Sequence, residues 1–156
     1  ELDAGLVDRV AAVLAETGLP PARLELEVTE SALLADEERT RVLLMRLRDL
    51  GVGLALDDFG TGFSSLSALH RYPFTRLKID RSFISGCIDD AGRGGVVRTI
   101  AVLAHTLGMA VTAEGVETGP QRQFVSDLGC DTLQGYLLGR PMPAADIRRL
   151  ASGRRR

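Results

Sequence analysis

Apolar side chains recur every three or four residues through Leu6, Val7, Val10, Val13 and Leu14, which predicts an amphipathic helix. The run stops at Gly18 and the Pro20-Pro21 pair. Residues 24–28 (Leu-Glu-Leu-Glu-Val) then alternate apolar and acidic positions, the two-residue period of a strand whose faces differ. Residues 36–50 return to helical spacing, with Val42, Leu43, Met45, Leu47 and Leu50 set among Arg and Glu, and end at Gly51 and Gly53. A strand over 53–56 runs into Asp57 and Asp58. The alternation predicts a short helix over 64–70, a strand over 76–80 and a helix over 96–107. A strand over 109–113, a helix over 120–128, a short strand over 132–134 and a closing helix over 144–150 complete it.

Strands and helices taking turns across short connections predict a parallel sheet covered by helices. An open dinucleotide-binding sheet is disfavoured: no G-x-G-x-x-G follows the first strand, and the Gly-Arg-Gly-Gly run at 92–95 opens a helix with no strand end before it. The expected fold is therefore α/β, a TIM-like (β/α) barrel. About five strands are predicted where a closed barrel has eight in about 250 residues. The barrel is thus expected to be incomplete, lacking its first strands. The opening Glu1-Leu2, which leads without a Met into a helical pattern, reads as the start of a segment. No repeat or Pro/Gly/Ser-rich linker divides the chain, so one domain over 1–150 and a basic tail over 151–156 are expected.

Composition narrows the function. A chain of 156 residues that is 45% hydrophobic and 26% charged is that of one globular domain. The formal net charge of −2 hides the basic tail, in which Arg154, Arg155 and Arg156 follow Arg148 and Arg149; a solvated terminus is expected there. Aromatic residues are 4% and Trp is absent, which leaves little for stacking bases, so no nucleic-acid polymer is expected as partner. Cys87 and Cys130 belong to no CxxC or His/Cys ligand spacing and read as reduced thiols of a cytoplasmic protein. No apolar run approaches the ~20 residues needed to span a bilayer, so no membrane contact is expected from this segment.

The strand ends carry the chemistry. Glu27 and Glu30 close the first strand, Asp57 and Asp58 the second, Lys78 and Asp80 the third, Glu114 and Glu117 the fourth, and Gln134 the last. In a parallel barrel these ends open on one face, where catalysis sits. Carboxylates gathered there repel one another unless cations share the site. Oxygen donors without His or Cys favour Mg²⁺ or Mn²⁺ over Zn²⁺, and adjacent Asp57 and Asp58 can turn toward two ions. Two ions about 4 Å apart are the usual clamp for attack on a phosphodiester.

Each residue also has a plainer role open to it. A single Asp or Glu at a strand end can cap a helix or solvate a loop, Lys78 can simply pair with a carboxylate, and Glu30 can hold a loop by accepting backbone N–H bonds. The run Asp57-Asp58-Phe59-Gly60-Thr61-Gly62-Phe63-Ser64-Ser65 reads as a mobile lid or an anion-binding turn. His70 and His105 read as packing or capping residues.

Five motifs in order carry a resemblance: Glu27-Val28-Thr29-Glu30-Ser31, the Asp57 to Ser65 run, Leu77-Lys78-Ile79-Asp80, Ala113-Glu114-Gly115-Val116-Glu117-Thr118, and Gln134-Gly135-Tyr136 leading to Arg140-Pro141. By these the chain resembles the EAL domain of bacterial cyclic di-GMP-specific phosphodiesterases. The resemblance implies the C-terminal two-thirds of that barrel and a domain that hydrolyses cyclic di-GMP to linear pGpG with two Mg²⁺ or Mn²⁺ ions. It implies metal binding by Glu27, Asp57, Asp58 and Glu114, with Asp57 bridging the two ions. Glu114, Lys78 and Asp80 are then the catalytic positions that activate and orient water, and Gln134 a substrate-binding position. Glu30 anchors the glycine-rich loop and is grouped with Glu117, Gly60, Thr61 and Gly62 as loop-supporting. A homodimer and an upstream diguanylate cyclase-like or sensor domain are further implications.

The family's Glu-Ala-Leu glutamate and its metal-ligating Asn have no counterpart in this sequence. Weak metal binding and slow or absent hydrolysis by the 156-residue chain alone are therefore expected. The alternative is a catalytically inactive EAL-like module that binds cyclic di-GMP or a partner protein. More distant is another metal-dependent (β/α) barrel, enolising or aldol-cleaving, on fold analogy alone. Retention of Glu27, Asp57, Asp58, Lys78 and Glu114 favours the enzyme, because a binding module has no need to gather so many like charges.

Overall fold

The computed structural model describes residues 3, 5–33, 37–60 and 66–153. Helix α1 (Leu6–Thr17) ends where the Gly18 N–H bonds to the Leu14 carbonyl, and a 3-10 turn at Pro21–Arg23 leads into β1 (Glu25–Thr29). There follow α2 (Glu30–Leu33), α3 (Glu37–Asp49), β2 (Gly53–Phe59), α4 (Leu66–Arg71) and β3 (Arg76–Ile79). The chain continues through α5 (Arg81–Ile84), α6 (Ala91–Thr106), β4 (Ala110–Ala113), α7 (Gly119–Asp127), β5 (Thr132–Leu133) and α8 (Ala144–Gly153).

The strands form one sheet in the order β1-β2-β3-β4-β5, every neighbouring pair parallel, as βαβ crossovers require. One face is apolar. Leu54 and Leu56 of β2, Leu77 and Ile79 of β3 and Val111 and Ala113 of β4 are buried with Leu44 and Leu47 of α3, Val97 and Ala104 of α6 and Val125 of α7. Strand alternation then places Glu25, Glu27, Arg76 and Lys78 on the opposite face.

The predicted elements are present, with shifts that have local causes. Helix α6 begins at Ala91, ahead of the predicted 96, because the Asp90 side chain accepts the Gly92 and Arg93 N–H groups and caps the glycine run into the helix. Helix α7 starts on a capping box in which Thr118 accepts the Gln121 N–H and the Gln121 side chain returns to Thr118 N–H. Val42 and Met45 of α3 face outward; the helix buries Thr40, Leu43, Leu44 and Leu47 instead. Strand β2 extends past its predicted end to include Asp57 and Asp58. Asp36, Thr61, Gly62, Ser64 and the tail residues 154–156 lie outside the described residues.

Both cysteines are free thiols, Cys87 buried and Cys130 half-buried; burial raises both, Cys130 to about 11. Among the described residues no helix is long and apolar enough to cross a membrane.

Candidate active site

The carboxyl ends of β1 to β4 converge on one ammonium. Lys78 Nζ lies 2.8 Å from Glu27 Oε2, 3.0 Å from Asp57 Oδ1 and 2.8 Å from Glu114 Oε1. A lysine ammonium has three N–H donors, and here they meet three carboxylates, two from β1 and β2 and one from the residue that follows β4. The Lys78 side chain is 6% exposed, whereas Glu27 on the outer strand is 51% exposed. Burial by itself would lower the lysine pKa, but hydrogen bonds to Glu114, Glu27 and Asp57 outweigh it and hold the group charged, above its ordinary range.

A bulge delivers the adjacent aspartates. Leu56 pairs with Leu77 and Phe59 with Ile79, so three steps along β2 match two along β3. The extra residue is absorbed where Asp58 takes φ 57, a left-handed backbone that Asp tolerates better than most residues, and the Asp58 N–H bonds to Asp57 Oδ1 at 3.0 Å. The bulge turns Asp57 toward Lys78 and places Asp58 beside it.

Asp80 ends β3 and caps α5: its Oδ1 accepts the Ser82 N–H at 2.9 Å. Burial pushes its carboxyl up, and the hydrogen bonds from Ser82 and Arg81 more than reverse that, holding it below the usual carboxylate range. Glu30 is buried at the start of α2, and Gly60 follows β2 at φ 93. The Glu117 N–H donates to Gln121 Oε1 at 2.8 Å, fixing the entry to α7. His105 is drawn away from this end of the sheet: its Nε2 lies 3.5 Å from Oδ2 of Asp131, just before β5.

A cleft of about 400 Å³ opens beside Glu114, walled by Arg81, Glu117, Gln134, Tyr136 and Arg140. Gln134 reaches it because its N–H donates to the Ala113 carbonyl at 2.9 Å and its own carbonyl accepts the Val116 N–H at 3.0 Å. Two glycines allow the walls to close. A Cβ at Gly115, which has φ 67, would stand 2.4 Å from Arg81 Cβ, and one at Gly135 would stand 2.2 Å from the Val116 carbonyl oxygen. The Arg140 guanidinium lies 4.4 Å from the centre of the Tyr136 ring, a cation–π contact at the rim. Arg81 was not singled out by sequence, since only the turn into α5 brings it to Glu114; Tyr136 and Arg140 stood in a motif without a role.

The sequence model of the family described as "EAL domain" matches residues 2–141. The chain belongs to the EAL domain family. The bifunctional diguanylate cyclase/cyclic di-GMP phosphodiesterase MucR of Pseudomonas aeruginosa is 49% identical over 144 residues, 92% of this chain and 21% of that protein. The solved cyclic di-GMP complex of the PaMucR phosphodiesterase superposes with a TM-score of 0.86 at 49% identity, covering 92% of this chain and 58% of the other. Klebsiella pneumoniae BlrP1, solved with manganese and cyclic di-GMP, gives a TM-score of 0.83 at 32% identity over 89% of this chain and 36% of its own. The chain thus spans about a fifth of the curated relative's length. With this membership the five-stranded parallel sheet is an arc of the family's TIM-like barrel.

Proposed function

We propose that this EAL domain hydrolyses cyclic di-GMP to linear pGpG at the carboxyl ends of β1 to β4. The observation that carries it is the convergence of Glu27, Asp57 and Glu114 on Lys78 beside a cleft that offers Arg81, Gln134, Tyr136 and Arg140. Three carboxylates against one ammonium leave a surplus of two negative charges, which a purely structural ion pair has no reason to keep.

The donor set is all oxygen, which suits a hard divalent cation. Among the described residues, no three His, Cys, Asp or Glu side chains are already set to hold one, because the three carboxylates fan out around Lys78. The chemistry of the donors fits a cation and their present orientation serves the ammonium. Glu27, Asp57 and Glu114, once released from Lys78, would hold two Mg²⁺ or Mn²⁺ ions together with Asp58. Bound there, such ions lower the pKa of water and stabilise a leaving oxygen. For its part, Lys78 would carry its proton toward the charge that develops on the phosphate. Glu114, which faces both Lys78 and the cleft, is placed to take a proton from the attacking water at Oε1. Arg81 and Arg140 suit the phosphates, and the exposed Tyr136 ring offers a face to a base. Asp80, as the cap of α5, would act by orienting Arg81.

The 156-residue chain alone is expected to hold metal weakly, since three carboxylates shared with an ammonium are a partial donor set. A second reading, a nucleotide-binding module without turnover, is favoured by Lys78 already neutralising part of the cluster. A homodimer and a diguanylate cyclase-like or sensor domain in the same protein are proposed partners. Release of pGpG by the full-length protein in Mg²⁺ or Mn²⁺, lost in EDTA and in Asp57→Asn, tests the enzyme; cyclic di-GMP binding with no release would establish the module instead.

A further inference from the structure

Beneath the Lys78 cluster lies a second polar layer that repeats its geometry. Arg76 Nε donates to Glu25 Oε2 at 2.8 Å, and its Nη1 donates to Thr112 Oγ1 at 3.2 Å and Thr132 Oγ1 at 3.1 Å. Glu25, Arg76, Thr112 and Thr132 each stand two residues before a site residue, namely Glu27, Lys78, Glu114 and Gln134. Two steps along a strand return a side chain to the same face.

The diagonals match as well. In register, Ala55 pairs with both Glu27 and Arg76, and Lys78 pairs with Thr112. Each cation on β3 therefore reaches two residues back to β1 and two residues forward to β4: Arg76 to Glu25 and Thr112, Lys78 to Glu27 and Glu114. Such a stagger is the shear of tilted barrel strands. β1 has no backbone ladder to β3, since β2 stands between them. The ion pairs Arg76–Glu25 and Lys78–Glu27 link the two strands across that gap.

Only a guanidinium suits the lower position. It presents its donors in a rigid planar fork, so Nε can face β1 while Nη1 faces β4 and β5; a lysine at 76 would bring one nitrogen on a flexible stem. The Arg76 side chain is 24% exposed and Glu25 38%, so the pair adds little to stability. What the fork restricts is the sliding of four strands past one another.

We infer that Arg76 is a positioning residue: its fork to Glu25, Thr112 and Thr132 sets the spacing at which Glu27, Lys78, Glu114 and Gln134 meet one layer above. The kinetic consequence rests on the proposed hydrolysis; the geometric one does not. Displacing reacting groups by about 1 Å can cost about a hundredfold in rate, so a partial loosening is expected to lower kcat about tenfold.

The test uses the full-length protein and three variants: Arg76→Met, Arg76→Lys, and the double replacement of Thr112 and Thr132 by Val, which keeps the Arg76–Glu25 pair if Arg76→Met does not fold. Crystal structures read the distances from Lys78 Nζ to Glu27 and Glu114, calorimetry reads Mn²⁺ affinity, and kinetics read kcat and KM for cyclic di-GMP. Arg76→Met is expected to lose at least one Lys78 contact and to lower kcat about tenfold at unchanged KM, with Arg76→Lys failing to restore either. The double Val variant is expected to shift the Glu114 contact before the Glu27 contact. Unchanged Lys78 distances in a folded variant, or full rescue by Lys, would overturn the inference. A wild-type protein that hydrolyses nothing defeats the functional proposal alone, because the Lys78 distances still decide the role of Arg76.

Discussion

Lys78 Nζ lies 2.8 Å from Glu114 Oε1, although Lys78 is in register with Thr112 and Glu114 stands two residues further on, just past the end of β4. The long lysine stem runs along the sheet to reach it, burying its methylenes and leaving the ammonium among carboxylates at the strand ends. Substituting Lys78 by Met keeps the stem and removes the charge. Three carboxylates then face each other without a counter-ion, and the chain is expected to lose about 2 kcal/mol, below the ~3–5 of a fully buried pair because Glu27 is half exposed. Urea unfolding in EDTA measures it. Mn²⁺ is expected to recover part of the loss, since a divalent cation can take the place of the ammonium. A Lys78→Met variant as stable as wild type in EDTA would show that the ammonium is not the counter-ion.

The pH dependence has a definite sign on each side. Burial works to depress Lys78, but its three carboxylate bonds leave its folded pKa above the ordinary 10.5. A raised pKa gives stability that is complete below the unfolded value and disappears only as pH climbs through the folded one. The stability difference between wild type and Lys78→Met is therefore expected to stay level between about pH 7 and 9. On the acid side, Asp131 accepts the Val111 N–H at 2.7 Å, which holds its carboxyl below the ordinary 3.8. Its contribution is present above 3.8 and lost as pH falls through the lower folded value. Asp131→Asn is expected to flatten the acid limb of a stability profile recorded by circular dichroism.

Gly135→Ala should disturb the cleft itself. The new methyl would meet the Val116 carbonyl oxygen at 2.2 Å, and relieving the overlap costs about 1–3 kcal/mol while moving the Gln134 turn. Thermal unfolding and nucleotide affinity are expected to fall together. Gly139→Ala, where nothing lies within 4 Å of the added Cβ, serves as the matched control and is expected to leave the melting temperature unchanged.

Tyr136→Leu keeps apolar bulk and removes the ring. The contact with Arg140 is at the rim, where cation–π energies are about 0.5–1 kcal/mol. If the ring faces a base, cyclic di-GMP affinity should fall about tenfold by calorimetry, more than loss of the Arg140 contact explains. A change under twofold would remove Tyr136 from the nucleotide surface.

Much of this was legible along the chain. The two-residue period of 24–28 and the helical periods of 6–14 and 96–107 report burial of one face, which is a local property, so β1, α1 and all but the glycine-rich first turn of α6 could be read in place. Charges at the ends of β1, β2, β3 and β4 followed from the same patterns, and parallel strands allow such ends only one common side. The four-residue helices α2 and α5 were not predicted, because one turn is too short to show a period. Asp80 reads as a member of the acidic set at the strand ends, and that its side chain also caps α5 appears only with the helix itself.

Periodicity thus established the alternating architecture and the face on which the acidic residues gather, since both depend on neighbours a few positions apart. The contacts that define the site and the layer beneath it join residues up to 56 positions apart, as in Arg76 and Thr132. They depend on strand stagger, on the bulge at Asp57 and Asp58 and on where a long cationic stem ends. Those are properties of strands packed against one another, and no single segment encodes them.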